Sequence, residues 1–417
     1  MHILILPSEY FITKESPTAG IFQFDQAKIF IKKGNKVGVI AVKPYYTLRE
    51  LSREVLLVLR TRSGIKRLIQ RIMYFFFPTP FAFKKDQKQA INIIRFEGSY
   101  GLTRTEDSEG RLAQWNRMGD FAFFKYVKKF GRPDVMHAHN IVYAGMMGNY
   151  LSQKHNIPIV LTERSSEHVM KDLPDVLKRM ISKHLNLMRN LNAVSPSLIE
   201  QLEARYSFQK GKMKWLPNVI DKIFEKENAS KNGEHGSFVF LNVANLIPLK
   251  GQIELIKAFA KTFATSDNVI LKIAGRGNLR AELEREIREL NLGEKVKLTG
   301  FLSREQVLSE MRMCDVCILP SHYETFGVVL IEALALGKPV IASKCGGPEC
   351  IVKESNGLLF ENKDIDDLAR VMLKMKNNIS KYNSDKIRED LLREFGEEVF
   401  YKRVIGIYQS AINDNNN

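Results

Sequence analysis

The chain has 417 residues, 44% of them apolar and 26% charged, a make-up that suits two domains with a core each and excludes a fibrous or disordered class. Its net charge of +16 is unevenly spread: residues 1–210 carry 33 Lys and Arg against 18 Asp and Glu, and the remainder 30 against 29. The first half is therefore expected to face a polyanion, either a nucleic acid or an anionic membrane surface.

In chain order, "HILIL" (2–6) reads as a first strand rather than a signal peptide, so a cytoplasmic protein is expected. "GIFQFDQAKIFIKKG" (20–34) has apolar residues at helical spacing and a closing glycine, and "VGVIAV" (37–42) follows as a strand. Residues 43–90 break this rhythm. They hold Arg49, Arg53, Arg60, Arg62, Lys66, Arg67 and Arg71, then the aromatic run "YFFFPTPFAF" (74–83), which is too short to span a bilayer. An amphipathic basic insertion is expected there. Strands resume at "NIIRF" (92–96), "VMHAH" (135–139), "PIVLT" (158–162) and "AVS" (193–195). The polar stretch after "LPNVID" (216–221) reads as a linker. A second series follows: "FVFLNVAN" (238–245), "VILKIAG" (269–275), "VKLTG" (296–300), "VCILP" (316–320), "PVIAS" (339–343) and "GLLF" (357–360), with a clear helix at "LRAELEREIREL". "EEVFYKRVIGIYQSAI" is a last amphipathic helix, and "NDNNN" reads as a frayed tail. Alternating strands and helices of this kind predict doubly wound parallel sheets with ligands at the C-terminal ends of the strands.

Three glycine-bearing turns in the second half follow strands and open helices, at Gly251, at Gly275 and Gly277, and at Gly327. One such turn is weak evidence. Three on one sheet edge, with Lys250 beside them, favour a phosphate-bearing ligand. Glu332 lies inside the apolar helix "VVLIEALAL", where a lone carboxylate is costly. Cys314 and Cys317 have zinc-ligand spacing, yet their setting, like that of Cys345 and Cys350, reads better as free thiols. "DIDD" (364–367) opens a helix and reads as capping rather than as a metal motif.

The stretch "ETFGVVLIE", Glu324 to Glu332, resembles the E-x7-E signature of retaining glycosyltransferases of family four (glycosyl transferases group 1). "LPNVID", "VANLIPLKG", "IAGRGNL", "CDVCILPSHYETFG", "GKPVIASKCGGPECIV" and "NGLLF" are similar to the same family, as are "GIFQFDQAKIFIKKGNKVGVI", "DVMHAHN" and "AVSPSL". The resemblance implies the α/β GT-B fold, two Rossmann-like doubly wound domains facing across a cleft. It implies an acceptor-side domain at 1–217, a nucleotide-sugar domain at 218–395, and a C-terminal helix at about 396–413 packing back on the first. It places Glu324 by the transferred sugar, Glu332 on the ribose hydroxyls and Lys250 on the diphosphate. Phe326, Gly327 and Val328 would bind phosphate through their amides, with Gly20 in a loop closing over it. Gly275, Arg276 and Gly277 also fall on the donor side. Asn245 stands where the family usually has an arginine. His139 matches a histidine near sugar or acceptor, whereas His137 is expected on the opposite face of its strand, as packing. "TERSSEH" (162–168) resembles an acceptor-side loop, with Arg164 in place of a histidine. Glu163 and Arg164 are candidates for acceptor binding, with a surface ion pair as the alternative. For Glu332 the alternative is a salt bridge to a nearby Lys or Arg.

The reaction implied is sugar transfer with retention, from a nucleotide-sugar donor to a glycan or lipid-linked acceptor, in cell-surface polysaccharide biosynthesis. With Lys250 and helix amides at the leaving group, no metal or other cofactor is expected. The partners expected are the donor, the acceptor and an anionic membrane surface met by residues 49–88, at the inner face of the membrane. A sugar-nucleotide epimerase of similar architecture is the alternative. A basic nucleic-acid-binding protein is a weaker one, since no nucleic-acid motif series is present.

Overall fold

The computed structural model describes residues 1–9, 11, 20–45, 83–88, 90–99, 103–104, 106–165, 171–229, 236–266 and 268–416, with scattered helical positions between 52 and 72. Most of the basic insertion, including its aromatic run up to Ala82, lies outside the described residues. The chain divides into two compact units. One comprises Met1–Ala193, Ile199–Leu216 and Tyr401–Asn417, and the other Val194–Leu198 and Pro217–Phe400.

In the first unit, eight strands among the described residues form one sheet: β1 (His2–Leu6), β2 (Lys36–Tyr45), β3 (Phe83–Lys88), β4 (Ile91–Ser99), β5 (Val135–His139), β6 (Ile159–Glu163), β7 (Asn190–Ala193) and β8 (Met213–Trp215). Their order is β3-β4-β2-β1-β5-β6-β7-β8. Every pairing is parallel except β3 with β4. β1 and β5 are buried along their whole length because helices cover both faces, so they read as unbroken apolar runs. Chain order reverses between β1 and β5, which puts the loops after these two strands at the switch point where doubly wound sheets bind ligands.

The second unit is the six-stranded parallel sheet β11-β10-β9-β12-β13-β14. Its strands are β9 (Phe238–Val243), β10 (Val269–Ala274), β11 (Val296–Gly300), β12 (Val316–Leu319), β13 (Val340–Ser343) and β14 (Gly357–Phe360). Its core gathers Phe240, Phe259, Phe263, Leu271, Ile318 and Ile341. The switch point here lies between β9 and β12, whose following loops carry Lys250 and Glu324.

Two expectations need correction, and two strands were not expected. The strand expected at 193–195 is Asn190–Ala193: Asn192 enters the sheet because its side-chain amide donates to Leu161 O at 3.1 Å, satisfying a polar group inside the core. β3 and β8 are strands that the sequence pattern does not announce. β3 reads "FKKDQK", the charged composition of an edge strand, and β8 has only three residues. The terminal "NDNNN" is not a frayed tail up to Asn416, because helix Glu397–Asn416 continues through it and Arg189 Nη1 donates to Asp414 O at 2.9 Å. Within this helix Tyr401 packs on Phe30 and Tyr408 is fully buried in the first unit.

Candidate functional site

In the second unit the loops after β9 and β12 are joined. His322 N donates to Leu249 O at 2.8 Å, and Gly251 approaches the carbonyl of Pro320 so closely that a Cβ would lie 2.0 Å from its oxygen. Gly251 also adopts φ 64°, which glycine reaches at no steric cost, and it opens helix Gln252–Phe263. This junction brings the Lys250 ammonium to Glu324, Nζ donating to Oε1 at 2.5 Å, and the Ser321 hydroxyl donates to the same oxygen at 2.9 Å. The backbone of Glu324 is held by the loop after β13, its carbonyl accepting from Gly347 N at 2.8 Å. Gly327, with φ 98°, starts helix Val328–Ala335. The amides of Phe326, Gly327 and Val328 thus lie at the N-terminal end of a helix dipole. The Phe326 ring is in the core, edge-on to Phe395 at 5.8 Å, so only its backbone belongs to the site.

Asn245 follows β9, and its carbonyl accepts from the Gln252 side chain at 3.0 Å. Gly275 passes over the same loop, where a Cβ would meet Ala244 O at 1.8 Å. The Arg276 guanidinium lies 4.7 Å from the centre of the exposed Phe301 ring.

Glu332 is buried and paired: Arg304 Nη1 donates to its Oε1 at 2.7 Å. Arg304 also grips Asp221 through Nη2 at 2.6 Å and Nε at 3.1 Å, with its guanidinium over the Phe224 ring. Burial would lower the Arg304 pKa, but the charges of Glu332 and Asp221 outweigh it and hold the pKa above the ordinary value. A salt bridge is therefore present at Glu332, and its other partner, Asp221, was not anticipated. No periodic pattern links positions 221, 304 and 332. The nearest signal is the capping box Ser303–Gln306, which marks where Arg304 enters its helix.

In the first unit, His137 and His139 are two residues apart on β5 and so share a face, contrary to the expectation that they point apart. Their rings stack at 4.2 Å. His137 Nε2 is 2.7 Å from Thr162 Oγ1, and its Nδ1 is 2.7 Å from the Tyr408 hydroxyl. Both histidines are held well below the ordinary imidazole pKa. Burial is the main cause for each, with His137 then Arg164 adding to it at His139, and Arg164 at His137. Arg164 Nε lies 3.2 Å from His139 Nδ1. Burial lowers the Arg164 pKa to about 10. Glu163 is not part of a surface pair. It is 1% exposed, and its oxygens accept from the backbone amides of Ile141, Arg164 and Ser165 at 2.8–2.9 Å, which shapes the turns after β5 and β6. Gly20, with φ 76°, precedes helix Ile21–Lys32 and packs against Phe11.

The four cysteines are free, and burial pushes the thiols of Cys314, Cys345 and Cys350 up to about 12 and that of Cys317 well above its usual value. Among the described residues no cluster of His, Cys, Asp and Glu has the form of a metal site. Asp364 caps its helix by accepting from the amides of Asp366 and Asp367.

Two doubly wound α/β units in one chain, each with loops gathered at its switch point, are the architecture of the GT-B class. Solved structures agree in fold. Sucrose-phosphate synthase from Thermosynechococcus elongatus superposes with a TM-score of 0.72 at 20% identity, over 99% of this chain and 100% of that one. The Anabaena protein HepE, in complex with UDP, gives 0.70 at 19% identity, over 98% and 100%. An uncharacterized glycosyltransferase of Methanocaldococcus jannaschii is 30% identical over 59% of this chain, a match that spans 66% of that relative's length. Glycosyltransferase Family 4 matches residues 108–222, and glycosyl transferases group 1 matches residues 223–389. The chain belongs to this glycosyltransferase family.

Proposed function

We propose that the protein is a retaining glycosyltransferase that moves a sugar from a nucleotide-sugar donor to a glycan or lipid-linked acceptor in cell-surface polysaccharide biosynthesis. The observation that carries this reading is the meeting of Lys250 and Glu324 at the β9/β12 switch point, three residues before a helix N-terminus. In this reading Lys250 and the amides of Phe326, Gly327 and Val328 neutralise the departing diphosphate, while Glu324 holds the transferred sugar. Gly20, Asn245, Gly275, Arg276 and Gly277 shape the donor's surroundings, and His139 contacts the sugar. Glu332 accepts the ribose hydroxyls while Arg304 keeps the carboxylate paired. Glu163 serves the acceptor side indirectly, through the loop it orders. The UDP bound to the related fold of HepE supports a nucleotide donor.

Retention follows a front-face route, in which the acceptor attacks from the side the diphosphate leaves, so no carboxylate nucleophile is needed. The cation at the leaving group is Lys250, and turnover is expected to survive EDTA; abolition by chelator and rescue by magnesium or manganese would overturn this part. The deciding experiment is a thermal-shift screen of UDP-, GDP- and ADP-sugars, because a ligand that binds only the native state raises the melting temperature. One class is expected to stand out. A flat response to all three, with no sugar transfer detected from any, would overturn the reading. The site of action is the inner membrane face, reached through residues 49–88.

A further inference from the structure

We infer that Arg164 is a positioning residue that fixes the proton of His139, holding the imidazole as its Nε2–H tautomer so that the first unit presents an uncharged hydrogen-bond donor to an oxygen of the bound sugar. The identity of that ligand rests on the proposed glycosyl transfer; the tautomer does not.

A guanidinium has donors and no acceptor, so the 3.2 Å contact between Arg164 Nε and His139 Nδ1 runs only one way. Nδ1 must hold a lone pair, and the ring proton must sit on Nε2. That nitrogen is buried and has no partner among the described residues. Buried donors are ordinarily satisfied, so one left open at the C-terminal end of a switch-point strand points to a ligand acceptor. A histidine in Arg164's place could accept as readily as donate and would leave the tautomer undecided.

The surroundings hold both partners still. Arg164 N donates to Glu163 Oε1 at 2.9 Å and to Asn140 Oδ1 at 3.0 Å, tying the start of this loop to the turn after β5. On the other side His139 stacks on His137, whose two nitrogens are engaged by Thr162, Tyr408 and Gln26. Among the described residues, the titratable and charged groups facing this cluster are His137 from the same strand, Glu163 and Arg164 from the end of β6, Tyr408 from the C-terminal helix, and Glu9, which acts on Arg164 from beyond β1. A proton added to His139 would face Arg164 directly and remove the acceptor that Arg164 uses. The ring thus stays neutral where an exposed histidine would titrate.

The test is proton-detected 15N spectroscopy of the full chain carrying labelled histidine, with the His139 signals identified by their loss in His139→Gln. Wild type is expected to show a proton on Nε2 of His139, unchanged from about pH 8 to about pH 5. Arg164→Leu, which removes the donor, is expected to give a mixture of tautomers and a titration within that range. Arg164→Lys, which keeps a donor, is expected to restore the wild-type pattern. In the transfer assay Arg164→Leu is expected to lower kcat about tenfold, the worth of one misdirected hydrogen bond, with the donor KM near wild type and a new acid limb in the pH profile. A wild-type proton on Nδ1, or an unchanged tautomer in Arg164→Leu, would overturn the inference. The wild-type spectrum decides the matter even where a variant fails to fold. The spectra need no donor, so failure of the nucleotide-sugar screen would count against the function and leave the tautomer result intact.

Discussion

At the scale of single residues, the arrangement around Glu332 reconciles two demands on one carboxylate. Buried in an apolar helix, it needs a charge partner in the absence of ligand, and Arg304 is that partner. Arg304 is itself anchored on Asp221 and is 44% exposed, so it does not depend on Glu332 for its own solvation. Ribose hydroxyls would then add to the pair rather than displace it. Glu332→Ala is expected to weaken donor binding by about 2–4 kcal/mol, the worth of two hydrogen bonds to a charged group, measured by calorimetry on folded protein. Unchanged affinity would remove the ribose role. Arg304→Ala should instead act on stability. It removes the ion pair from a buried carboxylate and is expected to cost about 1–2 kcal/mol in urea denaturation, toward the low end of such penalties because water reaches the vacated site. The E-x7-E spacing was legible because it lies within nine consecutive residues. The Asp221–Arg304–Glu332 chain was not, because its members meet only once the sheet is folded.

At the scale of elements, the strands buried on both faces were legible as apolar runs, and the parallel order followed from their alternation with helices. What escaped were elements whose pairing is decided by neighbours: the charged edge strand β3, the three-residue β8, and β7, whose Asn192 is tolerated only because Leu161 O accepts its amide. The glycine turns were visible, but their reason was read incompletely. Gly251 must be glycine because another loop's carbonyl occupies the space of a side chain, whatever ligand the turn also serves. Gly251→Ala is therefore expected to destabilise clearly more than Gly34→Ala. Gly34 has a similar φ of 81° but open space around it, so that change carries only the backbone cost of about 1 kcal/mol. Equal midpoints in urea would show that the loops after β9 and β12 part easily. Strand β5 carries a different prediction. His137 and His139 are held neutral by burial, well below the value of 6.5 that each has in an unfolded chain. Below pH 6.5 the unfolded state takes up protons that the native state refuses, so the stability is whole above that pH and is lost as the pH falls. The loss approaches about 1.4 kcal/mol per pH unit for each histidine. Urea midpoints at pH 7.5, 6.5 and 5.5 should fall, and fall less in His137→Gln. A flat profile would mean that these rings are charged in the native state.

At the scale of the whole molecule, the basic first half and the near-neutral second half call for different surroundings. Residues 49–88 carry ten Lys and Arg against three Asp and Glu. Within this stretch Ile65, Leu68, Ile69 and Ile72 are helical positions at sequence spacings of three and four, and Ile65 and Ile69 are more than half exposed, as is Leu56. An apolar row bordered in sequence by arginines matches an interfacial helix lying in a lipid headgroup layer. A solvated basic face over a packed aromatic core is the competing account, and it gives Ile65 and Ile69 no reason to be exposed. Among the described residues no helix is long and apolar enough to cross a bilayer. Each basic residue near an anionic surface is worth about 1 kcal/mol. Changing Arg60, Arg62, Lys66, Arg67 and Arg71 together to glutamine should therefore abolish sedimentation with liposomes rich in anionic lipid. Ile65→Ser with Ile69→Ser should weaken binding at every lipid composition, because the apolar term does not depend on surface charge. Wild-type binding is expected to rise with anionic-lipid content and to fall with salt. Equal binding by wild type and the glutamine variant, or no dependence on anionic lipid, would remove this segment as the membrane contact.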